Sequence, residues 1–207
     1  MIDAKSARPA RLTREESKER TRETLVATAS QLFLRAGYQG ATLDAIAAEA
    51  GFTKGAVYWH FRNKEALFLE LLQRQLQGQI RELDGFLARA NHDPRVLAVE
   101  LPAWVDALDE QDIPLLALEL MFETRRNPAF AQSFTAVIER HQAALTSALA
   151  GYFALTGKTP PMPVDVLART IVAMTSGLAL AREARGDRKV ASSGQIIRIL
   201  LDLPPGG

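Results

Sequence analysis

Apolar positions recur along this chain at three- and four-residue intervals, and strand-like alternation is nearly absent. Leu25, Ala29, Leu32, Phe33 and Ala36 share one face of a first helix. Thr13 and Glu16 open it as a capping box, and Gly37 is expected to end it in the left-handed conformation that glycine tolerates. Thr42 caps a second, short helix, with Asp44 in its first turn and Ile46, Ala47 and Ala50 facing inward. Gly51 supplies a turn, and Thr53 caps a third helix that runs to about residue 61. Asn63 opens a long fourth helix to about residue 90. Its charged, Gln-rich middle suits a strut between two cores. Further helices are predicted over residues 94–108, 114–126, 128–156, 163–185 and 193–203. Several of them carry a proline in the first turn, and Ser192 with Gln195 makes a second capping box. Pro102 should kink or split the helix it sits in. Residues 1–12 read as a flexible basic arm, and residues 157–162 and 204–207 as mobile connections. The whole is all-α.

Composition narrows the function classes. The 207 residues include no cysteine, so disulfides and thiolate metal sites are excluded. There are three histidines and no HExxH, GxSxG or phosphate-loop pattern, which leaves little to build a catalytic centre on. No catalytic residue, metal ligand or cofactor is predicted. The opening MIDAKSARPAR lacks the apolar stretch of a secretory signal. The most apolar stretches, such as residues 170–181, look too short and too interrupted to cross a bilayer. A cytoplasmic protein without a membrane partner is expected. The net charge of +1 hides an asymmetry. Residues 1–64 carry eleven Lys and Arg against seven Asp and Glu, and the remainder fourteen against seventeen. Such a basic N-terminal module on a mildly acidic remainder suits a chain in which only the first part meets phosphate.

The segment TLDAIAAEAGFTKGAVYWHFRNK, residues 42–64, reads as a helix-turn-helix, whose second helix would enter a DNA major groove. Small residues stand where helices must cross closely, Ala47 and Ala50, and Gly51 stands at the turn. Leu25, Phe33, Ile46, Val57 and Phe61 are spaced to plug a three-helix core. If Val57 and Phe61 face inward, Tyr58, Trp59 and His60 cannot all do so. Thr53 would then cap the recognition helix and touch phosphate. Lys54 could reach a guanine edge or a phosphate, and Gly55 would let the backbone come close. Tyr58 and His60 could donate to phosphate oxygens, and Trp59 could meet sugar or a thymine methyl. Lys64 and Thr42, at helix starts, would hold phosphates. A competing reading is a helical adaptor that binds protein, in which these residues are incidental.

Over about residues 14–70 the chain strongly resembles the TetR family of transcriptional regulators. The shared pattern runs through Leu25, Ala29, Phe33, Gly37, Tyr38, Thr42, Ile46, Ala47, Gly51, Phe52, Gly55, Tyr58, Phe61, Lys64 and Leu67. The resemblance implies a helix-turn-helix DNA-binding domain over residues 13–62. Residues 63–207 would form a helical ligand-binding and dimerisation domain. It also implies a repressor of a palindromic double-stranded operator, released by a small hydrophobic effector. Family members form homodimers through their last two helices. Here the small residues Ala168, Ala173, Thr175, Ser176 and Gly177, with Ile196, Ile197, Leu200 and Leu201, are candidates for that contact or for ordinary intrachain packing. Candidate ligand residues are Trp104, Leu108, Met121, Phe122, Phe134 and Met174, adaptable apolar side chains that could equally be plain core. His141 interrupts an apolar stripe and either fixes a polar ligand group or is a satisfied core histidine. Glu119 either pairs with an arginine or meets a cationic ligand.

Overall fold

The computed structural model describes residues 13–92, 96–109, 113–125, 127–185 and 192–203. The expected arm at residues 1–12 and the tail at 204–207 lie outside the described residues. Among the described residues there is no strand. The helices are α1 (Arg14–Gly40), α2 (Leu43–Ala50), α3 (Lys54–His60), α4 (Lys64–Ala90), α5 (Leu101–Asp109), α6 (Ile113–Thr124), α7 (Pro128–Thr156), α8 (Val164–Arg185) and α9 (Ser193–Leu200).

Local chemistry sets most of these starts. Thr13 and Glu16 form the reciprocal capping box. Thr42, Thr53, Asn63 and Ser192 each accept the N–H three residues on, at 3.1, 3.2, 2.9 and 3.1 Å. Each satisfies one of the N–H groups a helix start leaves free. Asn127 does the same for Phe130 in α7, ahead of Pro128. Gly51 turns the chain with φ 74° and ψ 25°. Gly37 departs from expectation. At φ 68° and ψ 172° it lies outside the left-handed helical well, in a region open essentially to glycine alone, and one further helical turn follows it. Pro102 has its expected effect in an unforeseen form. A π-helical turn, Val96–Glu100, precedes α5, where the proline cannot donate the regular hydrogen bond.

Two cores stack along α4. The first gathers Leu25, Phe33, Ile46, Val57, Phe61 and Phe68, and is closed by Leu116 and Leu120 of α6 and Phe130, Phe134 and Val137 of α7. The three N-terminal helices therefore share their core with the C-terminal ones. The second gathers Phe86, Leu97, Val105, Leu149, Tyr152, Leu167 and Ile197. The 27-residue α4, about 40 Å long, contributes Leu67, Leu71 and Leu72 to one and Phe86 to the other. The connection after α7 is anchored rather than loose. Gly157 ends α7 in the left-handed conformation, and Lys158 donates to the Asp202 carbonyl and carboxylate.

Val164–Ala184 of α8 is long and apolar enough to cross a membrane by length and composition, with a mean hydropathy of 1.5. That corrects the expectation of a stretch too short and too interrupted. The physical reason is that α8 is apolar on two sides. Leu167, Ala168 and Ile171 pack inward, while Val166, Ala173, Gly177 and Leu180 face out.

Candidate nucleic-acid interface and inner cavity

Helix α3 is held by two inward residues. Val57 and Phe61 are fully buried, which turns Tyr58 and Trp59 outward at 53% and 66% exposure. Thr53, Lys54 and Gly55 at the start of the helix are exposed too, as is Thr42 at the start of α2. Lys54 is paired with Asp44 of α2 at 2.5 Å, and that hydrogen bond raises its pKa. The ammonium is thus fully charged and on the surface, held by a contact that a phosphate could replace. Nothing fills the space above Gly51, and only the Thr53 hydroxyl, at 3.9 Å, lies near the place a Cβ on Gly55 would take.

His60 and Lys64 are placed differently from the other contact candidates. His60 is half-buried, edge-on to the Trp59 ring, and its Nδ1 is sealed with no partner. Burial, then the charges of Arg22 and Lys18, push its pKa down, so it is a poor phosphate cation. Lys64 turns its ammonium inward. It donates to the Tyr38 and Ala41 carbonyls at 2.7 and 3.0 Å and lies 4.2 Å from the centre of the Tyr38 ring. That geometry clamps α4 to the end of α1.

Sequence reasoning missed a basic edge on α1. Arg14, Lys18 and Arg22 follow one another at four-residue spacing, a signal that was available. Arg14 and Lys18 line an open hollow with Trp59 and His60. Lys18 stands 5.0 Å from the Trp59 ring centre. Arg22 stacks on Phe61, donates to the His60 carbonyl and pairs with Glu70 of α4. Arg74 pairs with the same carboxylate and with Glu19. This network locks recognition helix, α1 and α4 together.

The part of this surface from Thr42 to Lys64 lies in a segment that matches a family model. Residues 25–71 fit the description "Bacterial regulatory proteins, tetR family". Over that segment the chain is similar to the TetR family. It is 44% identical over 75 residues to the HTH-type transcriptional regulator SrpR of Pseudomonas putida, covering 36% of this chain and 33% of that one. It is 42% identical over 64 residues to the HTH-type transcriptional repressor BepR of Brucella suis, covering 31% and 30%. The matched segments span from about a third to about half of such curated relatives' own lengths. The reduced form of NemR from Escherichia coli has the same fold, with a TM-score of 0.64 at 19% identity over 87% of this chain and 97% of that one.

The C-terminal part of the chain contains two adjoining hollows. An inner cavity of about 110 Å³ lies between α4, α5, α7, α8 and α9. Ile80, Leu83, Trp104, Leu108, His141 and Thr175 are among its walls. An outer hollow of about 330 Å³ opens beside it, lined by Gln73, Gln77, Ile80, Arg81, Arg140 and His141 among others. Of the eight ligand candidates, Trp104, Leu108 and His141 reach these walls. Met174 packs half-buried against the second core, and Phe134 is buried in the first. Met121 and Phe122 are exposed at 44% and 60%, because α6 packs through Leu116 and Leu120 and turns them away. Glu119 pairs with no arginine among the described residues and lies outside these two hollows: it accepts the Tyr38 backbone N–H at 2.8 Å and, with Phe122, lines a separate open hollow of about 360 Å³ beside Gly37. Among the described residues, no three His, Asp or Glu gather closely enough to hold a metal ion.

Ala168, Ile197 and Leu201 are buried inside the chain, which is the intrachain alternative for those residues. Ala173 and Gly177 stay exposed.

Proposed function

We propose that this chain is a cytoplasmic transcriptional repressor that binds a palindromic operator as a homodimer and lets go when a small apolar effector enters its C-terminal cavity. The observation that carries the reading is the outward face of α3. Two fully buried residues fix the helix, and Lys54, Tyr58 and Trp59 stand clear of the protein. A helix presented this way fits the major groove, with Thr53 and Gly55 at its leading end. Residues 13–62 act as the DNA-binding unit and 63–207 as the effector and dimer unit.

The second copy is accounted for by α8 and α9. Val166, Thr170, Ala173, Gly177, Leu180 and Ala184 repeat at four- and three-residue steps, and all are exposed. Ile199 of α9 is 77% exposed. A continuous apolar stripe on two adjacent helices suits a self-complementary interface. Such a dimer sets two recognition helices about one DNA turn apart, roughly 34–36 Å. Effector binding then shifts the population toward a spacing that no longer matches.

The test is fluorescence anisotropy of the purified chain on DNA from upstream of its own gene, across a salt series, with Tyr58→Ala alongside. Tight, salt-sensitive binding that weakens about tenfold or more in the variant supports the regulator reading. Retention that ignores both salt and Tyr58 leaves the adaptor reading in its place.

A further inference from the structure

Resting on that regulator reading, we infer that the effector is a small amphipathic anion, its apolar ring or short chain in the inner cavity and its carboxylate-like head in the outer hollow against Arg81, Arg140 and His141.

The inner cavity sets the tail. Its walls are mostly Leu, Ile and Val, and the polar groups among them are partly spent. The Trp104 indole N–H donates to Glu82, and the Thr175 hydroxyl donates to carbonyls of its own helix. A cavity of about 150 Å³ lined by apolar side chains takes benzene, so one of about 110 Å³ suits a single small ring or a short alkyl chain.

The outer hollow sets the head. Arg81 and Arg140 line it, no Asp or Glu does, and neither arginine makes an ion pair among the described residues. Arg140 offers its Nε to the Ala136 carbonyl at a long 3.5 Å, which leaves its terminal nitrogens available. A cationic head would face two guanidinium groups with no counter-charge. An anion gains the paired, fork-shaped donors that guanidinium presents to a carboxylate.

His141 joins the two compartments, because it and Ile80 line both. Its Nδ1 is buried with no hydrogen-bond partner, the kind of orphan that calls for an explanation. A neutral imidazole can carry its proton on either nitrogen. Because Nδ1 is sealed from both hollows, the tautomer with the proton on Nε2 is the one that can donate to a carboxylate at the boundary.

The experiment varies head charge on one tail. Phenylpropionate, phenylpropanol and phenylpropylammonium are titrated into the full chain near neutral pH by calorimetry. Phenylpropionate should bind about tenfold tighter than the alcohol, and the ammonium weakest. In the Arg81→Gln/Arg140→Gln variant the preference should collapse to within about threefold, with the alcohol's affinity unchanged as the control for folding. His141→Leu should weaken the anion more than the alcohol. The inference is overturned if the alcohol or the ammonium binds as tightly as the anion, if the anion does not bind at millimolar concentration, or if the preference survives the double substitution. The same three compounds are added to the operator complex. An anion that binds as stated without releasing DNA would count against the regulator reading alone. Release by the neutral alcohol in preference to the anion would count against the ligand class alone.

Discussion

At the scale of single residues, the same side-chain type serves opposite purposes according to where its neighbours put it. Lys54 and Lys64 are both helix-start lysines that look suited to phosphate. Lys54 is exposed and held only by Asp44. Lys64 spends its ammonium on two carbonyls and the Tyr38 ring. Removing it leaves those carbonyls without a charged donor in a half-buried place. Lys64→Met should therefore lower stability by about 1–3 kcal/mol, seen as a fall of several degrees in the melting temperature. The slope of log operator affinity against log salt should stay as it is, because no phosphate contact is lost. A slope reduced by about one counterion would instead assign Lys64 to the DNA.

Between elements, stability is concentrated in a few cross-links. Glu70 of α4 accepts from Arg22 of α1 and from Arg74. Burial pulls its pKa up, but the hydrogen bonds and charges of the two arginines outweigh that and hold it below the usual carboxylate value of 4.5. A carboxylate lowered on folding contributes stability above its unfolded pKa and loses it as pH falls through the folded one. Thermal melts should drop on acidification below about pH 4.5. Glu70→Gln should melt lower at neutral pH and show a shallower acid limb; an unchanged limb would place the acid sensitivity elsewhere. The α5–α9 contact is tighter still. Asp106 accepts from the Ser192 hydroxyl and the Gly194 N–H at 2.5 and 2.7 Å. A Cβ on Gly194 would collide with the Pro102 carbonyl and sit 2.7 Å from both Asp106 oxygens. Gly194→Ala should cost about 1–3 kcal/mol or more and loosen α9, read as a lower melting temperature and, on the proposed reading, as a weaker dimer in sedimentation. Element starts were legible in the chain because a cap is a local event: Thr13, Thr42, Thr53, Asn63 and Ser192 each act on a group three residues away. The buried pair Val57 and Phe61 was legible from its spacing, and with it the outward face of α3. The partners of Glu119 and Lys64, the collision at Gly194 and the exposure of Met121 and Phe122 were not. Each depends on which helix arrives from far along the chain.

Across the whole molecule, two polar links join the N-terminal helices to the C-terminal ones, beside the apolar packing of α6 and α7 against the first core, and the two need not move together. One is α4, which lines the cavity with Ile80 and Leu83 and reaches the recognition helix through Glu70, Arg22 and the His60 carbonyl. The other is α6, whose Glu119 holds the Tyr38 N–H just after Gly37. Gly37 adopts a backbone open essentially to glycine, and the Glu119 carboxylate lies beside it, 3.6 Å from where a Cβ would stand. On the proposed regulator reading, a ligand that pushed α4 while α6 stayed seated would apply a torque between these links, and this difference would turn the recognition helices. Without the α6 anchor the N-terminal helices follow α4 more freely, and the same push does less to their spacing. Glu119→Ala should therefore reduce the ratio of operator affinities without and with saturating ligand by about fivefold, on the order of 1 kcal/mol of coupling. Ligand affinity of the DNA-free protein should stay within about twofold, since Glu119 lies outside the cavity walls. Linkage requires the reciprocal effect, so operator DNA should weaken ligand binding less in the variant by the same factor. Measuring both ratios closes the cycle. Ratios equal to those of the unaltered chain would mean that the signal does not pass through the Glu119 bond, which then only holds the end of α1 in place.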